Sequence, residues 1–255
     1  MSSEIEINSL FGNEKSVDDL IKIFKEENDP QTVFNLIPIS PDKPLQQETE
    51  DAREAILKSQ YFWATRIERT VQEKLGSSNA RERFSMERSW ERASFRAKLV
   101  DFLPRQTPWL FVIRDESGSP GVEQLHGDYH SDKIIYQKIT HEFLSSSLPA
   151  AQKGKLQIIE RYISETLVSI HDKMIKPLRF SVSLPLTTQE GPPRILILTL
   201  TFAQKKDGTK TSLEVSTSLY EAGVNTKALE EQRLNEKLLG QGRSILDNWT
   251  LYILD

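Results

Sequence analysis

Residues 194–202 read RILILTLTF, a run of β-branched and leucine side chains that is apolar at odd and even positions alike. In an extended chain successive side chains point to opposite faces, so this stretch is expected to be a central strand covered on both sides. Its neighbours are written differently. RFSVSL alternates Phe180, Val182 and Leu184 against Arg179, Ser181 and Ser183. After the turn KKDG with Thr209, Leu213, Val215, Thr217 and Leu219 alternate with Glu214, Ser216 and Ser218. The three segments predict an antiparallel meander, with a tight hairpin at Gly208.

Upstream of this meander, PWLFVIR (108–114) has strand composition. ESGSPG behind it is a turn cluster, and VEQLH reads as the returning strand of a hairpin. Helices are expected over 132–146 (Ile135, Ile139, Phe143), 155–175 (Ile159, Ile163, Leu167, Ile170) and about 226–239, the last ended by Gly240-Gln241-Gly242. The tail SILDNWTLYILD (244–255) is compatible with helix or strand.

The first half is helical in pattern. SVDDLIKIFKEEND starts with a capping Ser16 and the acidic first-turn pair Asp18 and Asp19, and a short apolar piece follows (Val33, Phe34, Leu36, Ile37). ISPDKPLQQET has no periodicity and reads as a linker. Ile56, Trp63, Ile67 and Val71 then mark one long helix, and Met86, Trp90, Ala93, Ala97 and Val100 mark a second. The predicted organisation is α+β: an N-terminal helical segment (1–40), a linker (41–48), a long antiparallel αα-hairpin (49–103), and an α+β domain (104–255). In that last domain a small antiparallel sheet, meander plus hairpin, is covered by helices.

With 255 residues, 27% charged and a net charge of −4, the chain has no global attraction for phosphate backbones or anionic surfaces. The absence of cysteine excludes disulfides, thiolate nucleophiles and zinc-thiolate sites. The N-terminal residues carry no basic region ahead of an apolar run, which predicts an intracellular protein, cytoplasmic or nuclear.

Three constellations carry candidate chemistry. In LHGDYHSDK (125–133), His126, Gly127, Asp128 and His130 resemble the HGDxHxxN catalytic loop of the aminoglycoside and choline phosphotransferases. The resemblance implies that Asp128 orients a substrate hydroxyl. Lys133 stands where that family has a metal-binding Asn, and no Gly-rich nucleotide loop precedes the motif, so capping of the following helix by Ser131 or Asp132 explains the residues better. In RERFSMERSWERASFRAK, a continuous helix over 79–98 places Arg81, Arg88, Arg92 and Arg96 in one sector flanked by Phe84 and Phe95. That is a surface for nucleic acid or an acidic partner, unless Glu82, Glu87 and Glu91 neutralise it. Tyr61-Phe62-Trp63 cannot all face one side of a helix, so Trp63 is assigned to the core and Tyr61 and Phe62 to an interface.

The resulting expectation is a non-enzymatic intracellular interaction or assembly subunit. It would act through amphipathic helices and exposed aromatics in a multiprotein complex with protein partners, and homo-oligomerise through the αα-hairpin. No catalytic residue, metal or cofactor is expected. The first alternative is a nucleic-acid-binding component of a viral or ribonucleoprotein particle using the 79–98 helix. The second is a phosphotransferase or metal enzyme at His126, Asp128 and His130.

Overall fold

A computed structural model describes residues 22–39, 47–147, 157–170, 176–186 and 192–254. Helical residues 22–27 lead into strand β1 (Val33–Ile39). Helices α1 (Gln47–Leu75), α2 (Ala80–Arg83) and α3 (Met86–Phe102) follow, then a 3-10 turn (Pro104–Gln106) and strand β2 (Leu110–Leu125). Helices α4 (Tyr129–Ser147) and α5 (Gln157–Ile170) precede β3 (Leu178–Leu186), β4 (Arg194–Asp207) and β5 (Lys210–Val224). The described chain closes with α6 (Thr226–Glu231), α7 (Glu236–Trp249) and β6 (Thr250–Leu254).

The fold is α+β, built on one mixed sheet of order β2-β5-β4-β3-β1-β6. β3, β4 and β5 form the expected antiparallel meander, and Asp207 pairs with Lys210 across Gly208, whose φ of +59° suits the turn. RILILTLTF lies in the third of the six strands and is buried on both faces. Ile195 and Ile197 join Tyr220, Ala222 and Val224 under α1, α3 and α7. Leu196, Leu198, Leu200 and Phe202 pack with Phe180, Val182 and Leu184 under α4 and α5. Each face therefore has its own apolar core, and the sheet is the shared wall between them.

Three expectations change. Val33–Ile39, placed in an N-terminal helical segment, is a strand lying parallel to both β3 and β6. Residues 110–125 make no hairpin: they are one strand paired along its length with β5, with irregularities between Val112 and Arg114 and between Gly118 and Gly121. The glycines read as a turn accommodate a bulge, and Gly121 carries a φ of +137°. The helix expected over 226–239 breaks after Glu231 and restarts at the Asn235 cap, then runs through Gly240-Gln241-Gly242 to Trp249. The ambiguous tail is thus helix to Trp249 and strand from Thr250.

α1 and α3 pack antiparallel, as the hairpin reading required, and their contacts show why. Arg96 on α3 reaches Glu68 on α1, and Trp63 on α1 donates to Thr107 beyond the end of α3 (2.9 Å). Ala93 and Ala97, both fully buried, let α3 lie close on the sheet. Ser181 donates to the Ala97 carbonyl (2.8 Å) and Thr32 to the Ala93 carbonyl (2.5 Å). Trp109 donates to Ser59 (2.9 Å) and packs edge-on against Phe62 at 5.1 Å.

α7 crosses α1 at a glycine. A Cβ on Gly242 would stand 1.9 Å from the Tyr61 carbonyl oxygen and 2.8 Å from Thr65 Oγ1, whereas one on Gly240 would meet nothing within 4 Å. Thr65 also donates to the Leu238 carbonyl across this crossing (2.9 Å). Gly242→Ala is expected to lower unfolding stability by roughly 1–3 kcal/mol through overpacking. Gly240→Ala, two residues away, is expected to raise it by roughly 0.5–1 kcal/mol through helix propensity. Urea unfolding of the two variants checks both signs, and a stabilised Gly242→Ala would contradict the described crossing.

Candidate functional site

The arginine sector divides into a surface half and a buried half. Ser85 accepts from Arg88 N (3.3 Å) and caps α3 anew, so α2 and α3 are not one continuous helix. Arg81 and Phe84 are exposed, and Arg83 stacks over the Phe84 ring at 5.1 Å. Arg88 is held by Glu82 (2.5 Å) and Glu91 (2.7 Å). Phe95 is half-buried against the core. Arg92 and Arg96 are buried and face inward, where they meet three carboxylates from distant parts of the chain.

That meeting is a five-residue ion network. Arg92 donates Nη2 to Asp29 Oδ1 (2.6 Å) and Nε to Asp29 Oδ2 (2.8 Å), and approaches Glu27 at 3.2 Å. Arg96 donates Nε and Nη2 to the two oxygens of Glu68 (2.5 and 2.9 Å), and Nη1 to Asp29. Ser89 adds a fourth donor to Asp29 (2.6 Å), and Arg83 closes on Glu27 at 3.2 Å. Burial alone would raise the Asp29 carboxyl. The Arg92 hydrogen bond, the Arg96 charge and the Ser89 hydroxyl outweigh it and hold the group below its ordinary value. Burial pushes Glu68 the other way, above its ordinary value, with Arg96 opposing. Every nitrogen of the Arg96 guanidinium is engaged within the network, so it offers nothing to a phosphate. A cavity of ≈ 480 Å³ beside the network, between Phe24, Tyr162, Asn248 and Trp249, is bordered by Asp29 and Arg96.

The interface aromatics also move. Phe62 is a core residue, and Tyr61 is half-buried where α7 crosses α1. The 126–130 loop is a helix cap. Gly127 turns at φ +66°, Asp128 accepts from His130 N and Ser131 Oγ (both 3.1 Å), and Asp132 accepts from His126 N (3.1 Å). Asp128 thus does the capping expected of Ser131 or Asp132. The His130 N–H, followed by the Ser131 hydroxyl, lowers its pKa. His126 and His130 are exposed. His141 pairs with Glu160 (3.0 Å) and Lys133 with Glu165 (3.7 Å), both on α5. Among the described residues, no group of three or more His, Asp or Glu is placed to hold a metal ion, and no helix is long and apolar enough to cross a membrane.

A different feature has the dimensions of a ligand site. α1, α6 and the start of α7 enclose a groove of ≈ 660 Å³. Asp51, Glu54, Ala55 and Lys58 recur on one face of α1. Thr226, Leu229, Glu230 and Arg233 recur opposite, and Ala52, Pro193, Leu234, Glu236 and Leu239 complete the lining. Asn225 caps α6 through Ala228 N (3.1 Å), and Asn235 caps α7 through Lys237 N (2.9 Å), which fixes the kink between them. Leu229, Leu239 and Ala55 are the buried floor. Lys58 is paired to Glu54 at 2.8 Å. That hydrogen bond raises its pKa first, with burial opposing, and the charges of Glu54, Glu236 and Glu230 add to it. Helical spacing on α1 was visible in the sequence, but the groove needs α6 and α7 beside it.

No family model matches the chain, and no curated protein does. Among solved structures it is similar to a delta-endotoxin, at 10% identity and TM-score 0.33 over 75% of this chain and 81% of that one. It is also similar to the activated Cyt2Ba monomer from Bacillus thuringiensis subsp. israelensis, at 11% identity and TM-score 0.34 over 76% and 98%. At these values the likeness carries neither fold nor activity to this chain. The expectation of an intracellular assembly subunit is nevertheless corrected. Of the side chains it relied on, Phe62 is core and Arg92 and Arg96 are buried in ion pairs, while Arg81 and Phe84 remain exposed. The same burial takes Arg92 and Arg96 out of the predicted nucleic-acid face, and Asp128 of the 126–130 loop caps α4.

Removing one partner of a buried pair strands the other charge, so Glu68→Gln is expected to cost roughly 3–5 kcal/mol in denaturant unfolding. Asp29 also sets a pH dependence. Its folded pKa is depressed, so its contribution is complete above its unfolded value near ~3.9 and is lost as pH falls through the folded value. Asp29→Asn is therefore expected to be less stable at neutral pH and to show a shallower loss below about pH 4. Parallel acid limbs in thermal melts of the two proteins would refute this.

Proposed function

We propose that the protein is a binding protein whose site is the groove between α1 and α6–α7, and whose ligand carries positive charge beside an apolar body. The observation that supports this is the lining: an apolar floor of Ala55, Leu229 and Leu239 beneath four carboxylates, Asp51, Glu54, Glu230 and Glu236, against two cations, Lys58 and Arg233. A volume of ≈ 660 Å³ falls within the ~300–1,000 Å³ of small-molecule sites. Apolar contact would supply most of the affinity. The acidic rim would orient the cation and speed its approach, since exposed charges contribute little individually but act together on encounter.

A short peptide with lysines along one helical face and leucines along the other is the probe. In calorimetric titration it is expected to bind the wild-type chain more weakly as salt rises. Replacing Glu230 and Glu236 together by Lys is expected to weaken binding by about tenfold or more, with thermal stability unchanged. Absence of binding, or equal affinity in the double variant, would refute the reading.

A further inference from the structure

Among the described residues, β2 is one of the two edge strands of the sheet, the other being β6. β2 is hydrogen-bonded to β5 on one side, and its residues from Phe111 to Ser119 are exposed on the other. Three consecutive large apolar side chains stand there: Phe111 (44% exposed), Val112 (60%) and Ile113 (42%). A long apolar edge strand is a ready template for another strand unless something blocks it. The irregularities at Val112/Arg114 and Gly118/Gly121 leave three regular stretches, 110–112, 114–118 and 121–125, and among them the window 114–118, of sequence RDESG, alone carries charges of both signs.

We infer that a second copy of this chain pairs with this edge, β2 antiparallel to β2, about a two-fold axis through Asp115. Two-fold pairing of identical antiparallel strands places one residue opposite itself and fixes every other partner. An axis at Arg114 opposes two arginines, and an axis at Glu116 opposes two glutamates. An axis at Ser117 or Gly118 pairs no opposite charges within the window. Centring on Asp115 sets each Arg114 opposite Glu116 of the partner subunit, twice, on the α4–α5 face, where Arg114 already reaches its own Glu116 (2.6 Å). The same register lays Phe111, Val112 and Ile113 of one copy along the small residues 117–119, Ser-Gly-Ser, of the other, so bulk meets space. The two Asp115 carboxylates are each taken by their own Arg105 (2.9 and 3.2 Å), which blunts their repulsion. The product is a continuous sheet across two protomers.

Sedimentation equilibrium of the full chain over a concentration series is expected to show a reversible dimer. Arg114→Glu alone opposes glutamates and Glu116→Arg alone opposes arginines, so each is expected to weaken the dimer by about tenfold or more while melting normally. An equimolar mixture of the two variants is expected to regain dimer as the heterodimer by native mass spectrometry, because it restores both opposite-charge pairs. A wild-type monomer at every concentration overturns the inference. So does a dimer indifferent to either substitution, or a loss that mixing does not restore.

Discussion

Arg92 and Arg96 hold together three separate parts of the chain. Glu27 and Asp29 lie just before β1, Glu68 lies in the middle of α1, and the two arginines lie one helical turn apart on α3. Neutralising the arginines therefore requires that the N-terminal segment, α1 and α3 converge on one buried point. A guanidinium is suited to this because it keeps its charge when buried and offers several donors in a fixed plane. Such a network adds little net stability compared with an apolar core. It does make any arrangement that misplaces one partner costly, and so acts on which arrangement forms.

The sheet depends on the same convergence. β1 enters between β3 and β6, directly after the residues held by the arginines, and α3 lies on β3 through Ala93 and Ala97 with Ser181 and Thr32 donating to its carbonyls. With α3 placed, α1 is drawn in by Glu68, and Gly242 lets α7 cross α1 at backbone contact. The groove proposed as a binding site arises where this packing ends. α6 turns away from α7 at Asn235, and the space between α1 and α6 is left with an apolar floor and an acidic rim.

The two surfaces that carry proposals differ in character. The groove is concave, bordered by carboxylates and floored by leucines, and suits a ligand of opposite charge. The β2 edge is an exposed, extended backbone with bulky and small side chains arranged in sequence order, and suits its own copy. Phe111 spans both faces of the edge problem: its ring lies where a Cβ on Gly223 would be, so it covers the neighbouring strand while remaining partly open to solvent.

Local pattern determined much of the architecture. The doubly apolar RILILTLTF implied a strand covered on both faces, the alternation on either side implied a meander, and the stripes of α1, α3, α4 and α5 implied helices. Each of these is a consequence of side-chain direction along a single element. What failed needed a partner distant in sequence. ESGSPG has the composition of a turn and becomes part of a strand because β5 is long enough to pair on both sides of it. Gly240 and Gly242 look like a helix end and lie within one, where the Tyr61 carbonyl leaves no room for a side chain at position 242. Four arginines at helical spacing look like a surface, yet Ser85 restarts the helix and carboxylates 28 or more positions away take two of them inside. Whether a charge serves solvent, a ligand or the core is decided by what the rest of the chain places opposite it, and that is a property of tertiary structure alone.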